Sequence, residues 1–311
     1  MSTIDTETLR SWLEEGKQVI ILDVRSAADR ATWEIPGSLH VDAYTDLKAH
    51  NPHALDGISL PADMPVVTVC NVGHVSQIAS EQLQARGIAA RSLEGGMCAW
   101  SLSWNIADIL LPSSSTQVIQ IRRVGKGCLS YLIGSQEEAV VIDAALQPEV
   151  YLDLAQSRGW SIIAVLDTHI HADHLSRSRL LAERSGATVY LPDQERVTYP
   201  FTALHDGSTI NVGVASLTAI QTPGHTLESM SYLLDQQALF TGDSLFLQGV
   251  GRPDLHVSAE ETRAHAHLLY RTLQRLLALP AHTLVLPRHS NAPMPFDKIP
   301  LTASLSNLQN R

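Results

Sequence analysis

Seven consecutive residues, Thr168-His169-Ile170-His171-Ala172-Asp173-His174, carry three imidazoles and a carboxylate. The apolar run Ser161–Leu166 precedes them and reads as a short buried strand. The cluster therefore sits at a strand end, where a loop can aim several side chains at one point. Three further pieces repeat the placement: His225 in Thr222-Pro223-Gly224-His225-Thr226, Asp243 in Phe240-Thr241-Gly242-Asp243, and His289 just after the run Thr283–Leu286. Histidine and carboxylate ligands arriving from separate strand ends are what a metal site requires. Solvated surface histidines have no reason to recur at four strand ends. The chain must therefore fold so that these ends meet.

A length of 311 residues suggests two domains. With 44% hydrophobic and 17% charged residues there is enough apolar material for two cores. In the first third, strand-like runs (Val19–Val24, Met64–Val69) alternate with a helical pattern over Val75–Gly87, which indicates a parallel α/β sheet. Residues 105–117, ending in Leu111-Pro112-Ser113-Ser114-Ser115-Thr116, read as a linker. Beyond it strands come more densely: Val118–Arg122, Leu129–Ile133 and Ala139–Asp143. The expected division is 1–104, a linker over 105–117, and 118–311.

The formal net charge of -10 argues against nucleic acid as a partner, because phosphate binding relies on Lys and Arg. Three cysteines, Cys70, Cys98 and Cys128, make no disulfide framework and suit a reducing compartment. The polar N-terminus has no signal-peptide pattern, and no apolar run approaches a membrane span. A cytoplasmic protein without membrane contact is the expectation.

The motifs HxHxDH, TPGHT, TGD and a C-terminal histidine resemble the metallo-β-lactamase superfamily over roughly residues 117 to 311. The resemblance implies an αββα sandwich with the ligands on loops along one edge. The first 104 residues resemble a rhodanese domain, through Leu22-Asp23-Val24-Arg25, Trp33-Glu34-Ile35-Pro36-Gly37-Ser38, Cys70 at a strand end, and Gly95-Gly96-Met97-Cys98-Ala99-Trp100. The implied fold class is α/β: a rhodanese-like parallel-sheet domain followed by a metallo-β-lactamase sandwich. In the rhodanese family the cysteine carries a persulfide, in a loop whose backbone N–H groups converge on sulfur. That role falls on Cys70; Cys98 and Cys128 read as core or near-surface thiols. Active rhodaneses usually carry Arg in this loop. Here it reads Cys70-Asn71-Val72-Gly73-His74-Val75, with His74 as its only basic residue, so poor thiosulfate turnover is expected.

Two metal arrangements follow from the ligands. In one, His169, His171 and His225 hold one ion, Asp173, His174 and His289 a second, and Asp243 bridges them; such a dinuclear zinc site suits thioester hydrolysis. In the other, His169, His225 and Asp243 alone hold Fe(II), a facial triad with open positions for O₂ and substrate. His171, Asp173, His174 and His289 then orient ligands or shape the pocket. The run Gly251-Arg252-Pro253-Asp254 after Asp243 resembles the ETHE1-like branch, the persulfide dioxygenases. Asp254 is expected to accept a hydrogen bond from a metal-bound histidine, and Arg252 to pair with a buried carboxylate. Little chain follows His289, whereas glyoxalase II-type hydrolases use a longer C-terminal segment to bind glutathione. Arg288, if directed inward, would disfavour a second divalent ion.

The leading expectation is an iron-dependent dioxygenase that oxidises glutathione persulfide, or a similar small persulfide, with O₂ to sulfite, fused to a sulfurtransferase-like domain; the resemblance also allows a homodimer. The alternatives are a glyoxalase II-like thioester hydrolase with two Zn(II), and a sulfur carrier or sensor with a structural metal.

Overall fold

A computed structural model of the chain describes residues 2–61, 63–112, 115–125, 127–172, 175–255, 258–290 and 293–309. Its backbone falls into two compact units. The first is Met1–Asn105 with Arg122–Gly127 and Asn291–Lys298; the second is Ile106–Ile121 with Cys128–Ser290 and Ile299–Arg311.

The first unit is built on a five-stranded sheet in the order Thr3–Ile4, Ala90–Leu93, Val66–Val69, Ile20–Asp23, Leu39–His40. Every pairing is parallel. Ile20–Asp23 and Val66–Val69 are buried at every residue, which explains why both read as mainly apolar runs. Asp23 pairs in register with Val69, so Cys70 leaves the sheet beside Asp23 at its C-terminal edge, where open α/β sheets place their ligands. The helix His74–Ala85 follows, burying Val75, Ala79 and Leu83 one turn apart.

The second unit stacks two sheets. One runs Thr202–Leu204, Thr188–Pro192, Ser161–Leu166, Glu138–Ile142, Leu129–Ser135, Gln117–Arg123, Trp104–Ile109; the other runs Thr209–Val212, Ala215–Gln221, Met230–Leu234, Ala238–Gly242, Leu284–Pro287, Ala303–Ser304. Tyr131, Ile133, Val140, Ile142 and Leu166 from the first mesh with Leu217, Tyr232, Leu234, Phe240 and Leu286 from the second. Helices Pro148–Ser157 and Ser178–Ser185 pack against the first sheet. The long helix Ala259–Leu277 starts at a capping box of Ser258 and Glu261 and buries Leu276 in the outer cluster of the second sheet. The architecture is the αββα sandwich.

One expectation is corrected. Residues 105–109, read as the start of a linker, belong to the strand Trp104–Ile109. Its buried positions are Asn105, Ala107 and Ile109, alternating with more exposed ones, as an edge strand requires. A buried Asn and a half-buried Ile hide that alternation in the sequence.

Five strands deliver polar residues to one edge of the sandwich. Ile142 and Leu166 pair in register, so Asp143 and Asp167 emerge side by side. Gly242 pairs with Pro287, which sets Asp243 beside Arg288 and His289. No helix among the described residues is long and apolar enough to cross a membrane.

Candidate functional site

Three imidazole nitrogens surround one carboxylate oxygen at this edge. Oδ2 of Asp243 lies 3.5 Å from Nε2 of His225, 3.5 Å from Nε2 of His289 and 3.9 Å from Nε2 of His169. The ligand atoms of His169, His225 and Asp243 all fall within 4.8 Å of one another.

The tautomers follow from the partners of the other ring nitrogens. Nδ1 of His225 is 3.1 Å from the carbonyl oxygen of Arg252, which can only accept, so Nδ1 carries the proton and Nε2 presents a lone pair. Thr168 Oγ1 donates to the Asp143 carboxylate at 3.0–3.1 Å. Its oxygen is then left to accept from Nδ1 of His169, 3.0 Å away. His169 too turns a lone pair towards Asp243. Burial, the largest influence, holds the His169 pKa well below the usual imidazole range, and the neighbouring His171 and His225 push the same way against the opposing pull of Asp143. Two lone pairs thus face a carboxylate whose other oxygen, Oδ1, is buried with no hydrogen-bond partner among the described residues. Such a set of acceptors repels itself unless a cation sits among them, so the residues present fit a divalent metal ion.

A buried network backs this set. His171 directs Nε2 to Asp143 at 3.1 Å, with Asp167 3.8 Å away. Burial alone would lower its pKa, but the charge of Asp143 and its hydrogen bond outweigh burial and raise it. Asp143 also accepts from the backbone N–H of Thr168 at 2.7 Å, and Nε of Arg288 lies 3.7 Å from its other oxygen. Burial favours the protonated carboxyl, yet His171 and Arg288 hold the Asp143 pKa below the ordinary carboxylate range. Asp143 adopts φ 56°, a left-handed conformation that Asp tolerates better than most residues. Asp167 is held by the hydroxyls of Ser176 and Ser178. Arg288 is fully buried and donates to the Leu129 carbonyl. Its Nε faces inward towards Asp143.

The Gly251-to-Asp254 run is arranged differently from expectation. Arg252 and Asp254 are solvent-facing and pair with each other at 3.0 Å. Among the described residues Asp254 does not reach a histidine, and Arg252 does not reach a buried carboxylate. The oxygen that orients His225 is the backbone carbonyl of Arg252. Gly251 permits this: a Cβ there would lie 1.9 Å from the Asp243 carbonyl oxygen and 3.0 Å from Cβ of His225. Side-chain reasoning had no access to a backbone acceptor. Asp143, Asp167 and Thr168 also escaped it, although a carboxylate directly after an apolar run was visible at Asp143 and Asp167. Asp173 and His174 lie outside the described residues.

In the first unit Cys70 is 1% exposed, and its Sγ accepts the N–H of Gly73 at 3.2 Å and the hydroxyl of Ser76 at 3.3 Å. The carbonyls of Cys70 and Asn71 accept from the N–H groups of Met97 and Cys98, which pins the loop to the helix Gly96–Trp100. Gly96, at φ 53°, has to be glycine: a Cβ would come within 2.2 Å of the Cys70 oxygen. Asn71, in the loop that lacks the usual Arg, donates to Asp29 at 3.1 Å. A cavity of about 330 Å³ opens over Cys70, with Tyr44, Lys48, His50, Asn71, Val72 and His74 in its wall. Ser76, Lys48 and His50 were not anticipated; Ser76 lies one residue beyond the loop as read, and the other two come from a distant segment. All three cysteines are free, Cys98 exposed and Cys128 buried.

This edge, with its converging histidines and carboxylates on an αββα sandwich, defines a metalloenzyme class, and the chain belongs to the metallo-β-lactamase superfamily, whose family model matches residues 123–289. A rhodanese-like domain model matches residues 5–103. The chain is 37% identical over 159 residues to the hydroxyacylglutathione hydrolase of Methylococcus capsulatus, covering 50% of this chain and 58% of that protein. It is 32% identical to a probable polyketide biosynthesis zinc-dependent hydrolase, BaeB, of Bacillus velezensis, covering 53% of this chain and 73% of that protein. Among solved structures it resembles ETHE1 from Myxococcus xanthus, with a TM-score of 0.50 and 31% identity over 66% of this chain and 80% of that one. It also resembles a metallo-β-lactamase from Staphylococcus aureus, with a TM-score of 0.58 and 26% identity over 63% of each chain.

Proposed function

We propose that the second unit is an iron-dependent persulfide dioxygenase and that the first is a sulfurtransferase-like unit with Cys70 as its persulfide-carrying thiol. The observation that carries the reading is the compact set His169, His225 and Asp243, two imidazoles and one carboxylate, while His171 commits Nε2 to Asp143. A ferrous ion bound by those three residues would supply the open positions at which O₂ and a persulfide meet. Overall, glutathione persulfide, O₂ and water would give glutathione, hydrogen sulfite and a proton. The chain's own part is to hold two Nε2 lone pairs in place, through Thr168 for His169 and through the Arg252 carbonyl for His225. The likeness to ETHE1 supports this reading.

A thioester hydrolase with two zinc ions is the second reading. It is favoured by His289, whose Nε2 stands as close to Asp243 Oδ2 as that of His225, so that Asp243 has the placement of a bridging carboxylate. The hydrolase names of the curated relatives support it equally. Metal analysis of the purified protein, with O₂ uptake on glutathione persulfide, separates the two. The first reading expects about one iron per chain and O₂ uptake. Two tightly held zinc ions with thioester hydrolysis and no O₂ uptake would replace it by the second. On the first reading, Asp243→Ala and His225→Ala each abolish metal retention and turnover together, and Asp173→Ala retains most of the metal.

A further inference from the structure

The loop that begins at Cys70 has no arginine, and Asn71 is bonded to Asp29. The cavity above the thiol is nonetheless basic. Among the described residues its lining includes Lys48, His50 and His74 and no Asp or Glu, in a chain whose net charge is -10. Lys48 ends the short helix Tyr44–Lys48, and His50 follows in a left-handed turn at φ 57°. Both are exposed, and among the described residues no carboxylate pairs with Lys48. At the floor of the same cavity Sγ of Cys70 already receives an N–H from Gly73 and an O–H from Ser76.

We infer that Lys48 and His50 are the anion-recognising residues of the Cys70 cavity, so that it selects an anionic sulfane-sulfur donor with charge supplied from outside the cysteine loop. The inference rests on Cys70 being the sulfur-carrying thiol and not on the identity of the metal. With thiosulfate as the probe, the Cys70 thiolate attacks the outer sulfur, the sulfur–sulfur bond of thiosulfate breaks, and sulfite leaves with the electron pair. Cys70 is left as a persulfide anion, with no oxidant or reductant consumed. Lys48 and His50 hold the sulfonate oxygens and are positioning residues; the thiolate does the chemistry.

The test uses the full-length protein and peptide mass mapping at Cys70. Negatively charged iodoacetate and neutral iodoacetamide both react through the thiolate, so the ratio of their rates cancels changes in thiol ionisation and reads the charge around the sulfur. Lys48→Met combined with His50→Asn removes both basic groups, and Asn keeps the left-handed turn accessible. The expected result is a fall of about five-fold in the iodoacetate-to-iodoacetamide ratio, a matching slowing of sulfur transfer from thiosulfate, and a wild-type ratio that drifts towards the variant's as salt is added. An unchanged ratio overturns the inference, as does a native protein whose Cys70 takes up neither reagent while the denatured chain takes up both. A fall in the ratio with no sulfur transfer from thiosulfate leaves the recognition by Lys48 and His50 standing and removes the sulfur-carrier reading of Cys70.

Discussion

The metal centre and the Cys70 cradle both gather negative or electron-rich atoms at the C-terminal ends of strands, but they are held in opposite ways. At the metal centre the support is buried side chain on side chain: Thr168 between His169 and Asp143, and Asp143 between His171 and Arg288. At the cradle the sulfur is held by a backbone N–H and one hydroxyl, and the nearby basic side chains, Lys48, His50 and His74, line the exposed cavity wall. Removing a member of a buried network strands another charge away from water, whereas removing an exposed lysine leaves water in its place. The first region should therefore fail steeply and the second by degrees.

The largest effect should come from the centre of the buried network. Asp143→Asn removes the carboxylate nearest His171 and the one that Nε of Arg288 faces, at a site where Asn keeps the backbone conformation. It should cost about 3–5 kcal/mol, and calorimetry should show the second unit melting roughly 10 °C lower. A variant that melts with the wild type would mean that Arg288 and His171 find other partners and that the network is not the support described.

Thr168→Val comes next. It keeps the shape but removes the oxygen that accepts from Nδ1 of His169, so metal affinity should fall about 10- to 100-fold in a chelator competition. Unaltered affinity would break the link between the two side chains. At the cradle, Ser76→Ala removes one donor to Sγ and should slow sulfur uptake at Cys70 only about two- to ten-fold, measured as persulfide formed per unit time. A complete loss would make Ser76 a reacting group and not a supporting one. The smallest effect is expected at the surface pair. Asp254→Ala should leave both metal content and thermal midpoint at wild-type values, because Asp254 pairs with Arg252 in solvent. Metal loss there would restore Asp254 as the partner of a metal-bound histidine.

Much of this organisation was legible in the chain. Ser161–Leu166 is a strand with the ends read from its apolar run, and His169, His225, Asp243 and His289 each follow a strand as their motifs implied. Short buried strands advertise themselves, since both faces must be apolar, and a loop after a strand end is short enough for its residue types to be read directly. The strand Trp104–Ile109 was illegible because its buried positions mix Asn with Ala and Ile.

Sequence by itself determined the two sheet-based units, the ligand types and the strand ends that carry them. Tertiary structure alone decided which atoms meet. Asp143 and Asp167 became neighbours through strand register, and Arg288 turned inward to a carboxylate far away in sequence. A carbonyl, and not the Asp254 side chain, came to orient His225. Lys48 and His50 reached the Cys70 cavity from a segment that shares no motif with it. Periodicity and motif spacing encode local geometry, because they act through bonds and short loops. Contacts between distant segments depend on how sheets pair and helices pack, and a side chain's partner across such a contact leaves no trace in its immediate neighbours.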